Sequence, residues 1–123
     1  MAQVSTIPPQ AVDRFAHTFD EFVTTLRTAL ALAPEEHAEV SRWQKKALPL
    51  LNRDLDRVNA AAKSYAAGDA GPLVQAASSA LSLAKDLDGF SLSFAGEETA
   101  RQLEEKLRFV VMAAWQVVSA NHA

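Results

Sequence analysis

The residues that come nearest to chemistry are Asp13, His17 and Glu21, spaced i, i+4 and i+8. On a helix that spacing sets three metal-ligating groups along one strip. Helical proteins that hold metals do so with carboxylates and Glu-x-x-His pairs projecting inward from facing helices. This strip points the other way, because Phe15, Phe19 and Phe22 define the apolar side and His17 stands opposite them. His37 sits among Glu35, Glu36 and Glu39, a solvated setting, and His122 belongs to the C-terminal tail. Neither a metal site nor a cofactor is expected. Covalent catalysis finds no better footing. The chain has no cysteine, which removes thiolate nucleophiles, thiolate ligands and disulfides together. No serine occupies a Gly-x-Ser-x-Gly turn, and no glycine-rich loop could cradle a phosphate. The pairs Glu35-Glu36, Glu97-Glu98 and Glu104-Glu105 are helix neighbours that diverge rather than share a proton. The expectation is a protein that is not an enzyme.

Two other patterns point to binding. The first is a basic row. Residues 40–63 carry six basic and two acidic side chains, whereas residues 1–39 carry two basic and six acidic. Arg42, Lys46, Arg53 and Arg57 fall within about 60° of one another at about 100° per residue. Such a row could track a phosphate backbone or meet an acidic protein surface. It contains no aromatic residue to stack on bases, and the net charge of −3 does not favour a nucleic-acid partner. The second pattern is the run Phe109 to Val118, which is apolar all round. Val110, Val111, Ala114 and Val118 supply one core face, leaving Phe109, Met112, Ala113 and Val117 as a second. A helix apolar on every side must be covered on every side, so this second face is the expected interface with another protein or a second copy.

The elements that carry these patterns read as helices throughout. Alanine is abundant, glycine and proline are scarce, and 49% of residues are apolar against 22% charged, the balance of one globular domain. Val12, Phe15, Phe19, Phe22, Val23, Leu26 and Leu30 recur in steps of three and four, predicting a first helix from Pro9 to about Leu32. Pro34, with Glu35 and Glu36 behind it, predicts a restart. Val40, Trp43, Ala47, Leu51, Leu55, Val58, Ala62 and Tyr65 then mark a long second helix, kinked at Pro49. Gly68 to Pro72 is the clearest break. A third helix follows, with Leu73, Val74, Ala77, Leu81, Ala84 and Leu87 inward. Phe90, Leu92 and Phe94 alternate with serines, which predicts a short extended connection over 89–96. The last helix opens near Glu97, with Glu97–Arg101 and Glu104–Arg108 as expected i, i+4 ion pairs.

The fold class expected is all-α: an antiparallel four-helix bundle in a single domain over 1–123, with 1–8 and 119–123 loose. Met1 to Gln10 has neither the basic start nor the apolar run of a leader, and no stretch reaches membrane-spanning length. With the absence of cysteine, these features predict a cytoplasmic protein with no membrane partner. The function expected is a non-catalytic interaction module, such as an accessory subunit, an inhibitor or an immunity-type protein. Two alternatives stand beside it: nucleic-acid contact through the basic row, and a bundle binding a metal or small apolar ligand.

Overall fold

The computed structural model describes residues 7–34, 36–66 and 68–122. Every regular element among them is helical, and with residues 38–66 taken as one continuous run they form four helices. Met1 to Thr6, Glu35, Ala67 and Ala123 lie outside the described residues.

Helix α1 runs Pro9–Leu32, with Pro9 in the first turn, where its missing N–H is not needed. All seven apolar positions of the predicted face are buried, joined by Ala11 and Ala29. Ahead of it, the described residues are Ile7 and Pro8. Ile7 is buried, and its carbonyl accepts a hydrogen bond from the Tyr65 hydroxyl.

The restart comes later than Pro34 suggests. His37 N–H donates to the Pro34 carbonyl (3.1 Å), and α2 (Ala38–Arg42) begins only after that turn. Its cap is His37, whose Nδ1 accepts the Glu39 N–H at 3.3 Å. Helix α2 passes directly into a π-turn, Trp43–Ala47, and then into α3, Leu48–Ala66. Pro49 lies inside this continuous run, so the chain is not broken there. The departure from α-geometry sits just upstream, where Leu48 N–H reaches back to the Trp43 carbonyl. Two constraints meet at this point. Pro49 cannot donate to the Lys45 carbonyl, and its ring crowds that turn. In addition, Trp43, Ala47, Leu51 and Leu55 are three successive four-residue steps, which in a regular helix would drift about 120° off the core side. A single wider turn corrects the drift, and all four side chains are buried.

Helix α3 ends in a glycine-dependent cap. Gly68 adopts φ of +104°, Asp69 N–H reaches the Ser64 carbonyl (2.9 Å), and Gly68 N–H reaches Tyr65 (2.9 Å). The Asp69 carboxylate then accepts from Gly71 N–H at 3.1 Å and opens α4, Gly71–Leu87. On α4 the buried residues are Leu73, Ala76, Ala77, Ala80, Leu83 and Leu87. Val74, Leu81 and Ala84, expected inward, are only half-buried.

The connection to the last helix is not a strand. Ser91 Oγ accepts the Ser93 N–H (3.2 Å), so a local side-chain bond replaces a sheet partner, and Ser93–Ala95 forms a 3₁₀ turn. Its large side chains do tuck inward: Phe94 is buried, and Phe90 packs on Trp43 with ring centroids 4.9 Å apart. Helix α5, Glu97–His122, remains helical through 119–122, where a frayed tail is expected. It packs most extensively on α1 and α4. The anticipated Glu97–Arg101 and Glu104–Arg108 ion pairs do not form; α5 instead sends Lys106 Nζ across to Glu21 on α1 at 2.9 Å. One connected apolar core draws on all four helices.

Leu103 is wholly buried in this core. Leu103→Ala should lower unfolding stability by about 2–5 kcal/mol in urea titration. Within a single chain, the half-exposed Phe109 on the same helix contributes less, and Phe109→Ala should cost the monomer less than about 1 kcal/mol.

Candidate docking face

Helix α5 carries more large apolar side chains than one core can cover. Leu103, Val110, Ala113, Ala114 and Val117 face inward. Phe109, Met112 and Trp115 remain 46%, 54% and 55% exposed, one step of three apart on the outer side. The second face read from sequence is therefore corrected. Ala113 and Val117 are 1% and 0% exposed and belong to the core, while Trp115 takes their place outside. The reason is a rotation of the helix toward α1. With Ala113 and Val117 turned inward, Val111 and Val118 move to the edge and Trp115 moves out. The steps 109, 112, 115 were a visible signal, but choosing the inward side needed the neighbouring helix.

The edge residues floor a shallow groove between α4 and α5. Leu81, Ala84, Leu107, Val111, Trp115 and Val118 form its apolar lining, and Lys85, Asp88, Glu104 and Arg108 stand around it. Those four charges make no ion pair with one another among the described residues. The surface can bury apolar area against a shaped partner while keeping a charged rim in water.

The basic row has partners of its own. Arg42 lies over the Phe90 ring at 4.3 Å and donates to the Gly89 carbonyl at 3.4 Å. Arg53 and Arg57 flank Asp54, with Nε 3.5 Å and Nη1 3.9 Å from the same carboxylate oxygen. Lys46 is exposed and has no ion pair among the described residues. Asp54 went unnoticed in the sequence because an acid between two arginines looks like a solvated surface. It is in fact 3% exposed, and its Oδ1 accepts no hydrogen bond.

Other polar groups act as struts. Glu21 accepts from Lys106, whose hydrogen bond and charge hold that carboxyl below the usual carboxylate range. His17 pairs with the same Glu21 at 3.4 Å on the exposed side. No three His, Asp or Glu side chains converge on a metal-sized space among the described residues. At the other end, Ser93 Oγ donates to Glu39 at 2.6 Å, and Trp43 Nε1 donates to the Ser91 carbonyl at 2.8 Å. The Ser93 and Ser91 hydroxyls hold the Glu39 carboxyl below its usual 4.5.

Two outcomes follow from these contacts. A buried carboxylate without a hydrogen bond opposes folding, and its arginines are half-exposed, so Asp54→Leu should be neutral or stabilising by about 1 kcal/mol in urea titration. A loss above about 2 kcal/mol would contradict that reading of Asp54. Glu39, with its folded pKa depressed, contributes its contact above the ordinary carboxylate range and loses it as pH falls through the folded value. With Trp115→Phe leaving Trp43 as sole reporter, fluorescence should therefore step below pH 4.5, and Glu39→Ala should remove the step.

The chain matches no protein-family model, no curated protein and no solved structure.

Proposed function

We propose that this chain is a non-catalytic protein-interaction module of the cytoplasm, built as an antiparallel four-helix bundle that docks through the outer side of α5. The observation that carries the reading is the cluster Phe109, Met112 and Trp115, each about half exposed on a helix whose inner side is already filled. Aromatic residues, methionine and arginine are the types enriched at protein interfaces, and Arg108 stands beside this cluster. An exposed apolar cluster with a charged rim is costly for solubility unless a partner covers it.

Long-range pairs support the antiparallel arrangement of α1 and α5. Arg14 near the start of α1 meets Gln116 near the end of α5 at 3.4 Å, and Glu21 further along α1 meets Lys106 nearer the start of α5. Non-catalytic docking is favoured because the α4–α5 groove has an apolar floor and its charged groups stay at the rim. The absence of cysteine fits a reducing compartment, and no helix among the described residues is long and apolar enough to cross a membrane. Polyanion contact through Arg42, Lys46, Arg53 and Arg57 has less support, since three of the four already have partners inside the chain.

Placing a photo-crosslinking residue at position 112 tests the reading in cells that make the protein. One discrete adduct is expected from position 112 and none from Lys63, exposed on α3. Equal, diffuse labelling at both positions would overturn it.

A further inference from the structure

The outer strip of α5 has an internal symmetry. Arg108 and Phe109 precede Met112 by four and three residues, and Trp115 and Gln116 follow it by three and four. At about 100° per residue, Arg108 and Trp115 lie to one side of Met112 by about 40° and 60°, and Phe109 and Gln116 lie to the other side by about 60° and 40°. All five are exposed. The strip therefore reads nearly the same from either end: on one flank a cation and an aromatic ring, on the other an aromatic ring and an amide.

From this, and resting on the docking face proposed above, we infer that the partner is a second copy of this chain, with α5 packed antiparallel on α5 about a two-fold axis at Met112. An axis perpendicular to the plane of the two helices keeps each flank against the same flank of its copy. Met112 then meets Met112 of the second copy. Arg108 comes over Trp115 of the second copy, and Phe109 over its Gln116, each contact made twice. The mismatch in height is about one residue's rise, 1.5 Å.

The electrostatics favour this arrangement over others. Arg108 has no ion pair among the described residues, so its guanidinium is free to lie on an indole face, the strongest of the side-chain cation–π partners. Residues 109–119 carry no charge at all, so nothing repels across the centre. The charged first half of α5, with Glu97, Glu98, Glu104 and Glu105 against Arg101, Lys106 and Arg108, is carried away from its own image. A parallel pairing would set Arg108 on Arg108 and each glutamate on its copy, which disfavours it. Pairing across Met112 also removes the three large exposed apolar side chains of both copies from water.

The test uses the full chain and surface substitutions that leave the core intact. Wild type should sediment as a dimer. Met112→Glu and Met112→Lys should each sediment as monomers with unchanged helical circular dichroism, and mixing the two in equal amounts should restore the dimer. Because the chain lacks cysteine, Met112→Cys supplies a single thiol on the axis. At ten micromolar it should oxidise to a covalent dimer about a hundredfold faster than Asn59→Cys on α3, given a millimolar effective concentration at a formed interface. A wild-type monomer at all concentrations, a dimer indifferent to both Met112 charges, or equal oxidation rates for the two thiols would each overturn the inference. A monomer whose position-112 crosslinks join it to a different protein would sink the self-association alone; a monomer with no discrete adduct would sink the docking face as well.

Discussion

Each residue of an α-helix turns the next side chain by about 100°, so an apolar side stays aligned only while large side chains alternate three- and four-residue steps. Wherever this chain departs from that rhythm, the structure has to respond. In the second helix the steps from Trp43 to Leu55 are all four, and the helix answers with the π-turn Trp43–Ala47. The wider turn absorbs the excess rotation, keeps Trp43, Ala47, Leu51 and Leu55 buried, and lets the chain pass Pro49 without a break. In the last helix large apolar residues appear at too many angles to be realigned by one turn. That helix resolves the excess by choosing a side, and what is not chosen stays in water.

The choice is made by neighbours. Lys106 bridging to Glu21 and Arg14 reaching Gln116 mark the face of α5 that meets α1. Ala113 and Val117 are small enough to allow that approach, and Phe109, Met112 and Trp115 are left outside. The same logic operates at the opposite end of the molecule. Trp43 is large and fully buried, yet its indole N–H needs an acceptor. The connection after α4 supplies the Ser91 carbonyl and also brings Phe90 and Phe94 against the ring. The segment is therefore shaped to cover one tryptophan, and its alternating pattern reflects that task rather than a strand.

Several polar side chains act as struts, and Asp54 does not. Glu39 with Ser93, Asp69 with Gly71, and Tyr65 with the Ile7 carbonyl each tie a chain segment to a helix end or to a neighbouring element. Asp54 is different, buried between arginines that approach without a formed hydrogen bond. It marks a place where the surface of α3 is closed over by packing that the local sequence does not announce.

The residues alone determined that the protein is helical, where α1 begins and ends, and that the last helix is too apolar to be covered on one side. These follow from short-range rules: side-chain recurrence, proline at first turns, glycine at the positive-φ position 68. The predicted core of α1 is buried in full. Tertiary structure decided the rest. It placed the helix irregularity at Trp43–Ala47 ahead of Pro49, because only packing shows which of several drifting positions must face inward. It exchanged Ala113 and Val117 for Trp115 on the outer side of α5, because the burial of a helix face depends on which helices press against it. It also laid the exposed Arg42 of the basic row over Phe90, because a contact between separate elements is a property of the fold, which spacing along one helix does not contain.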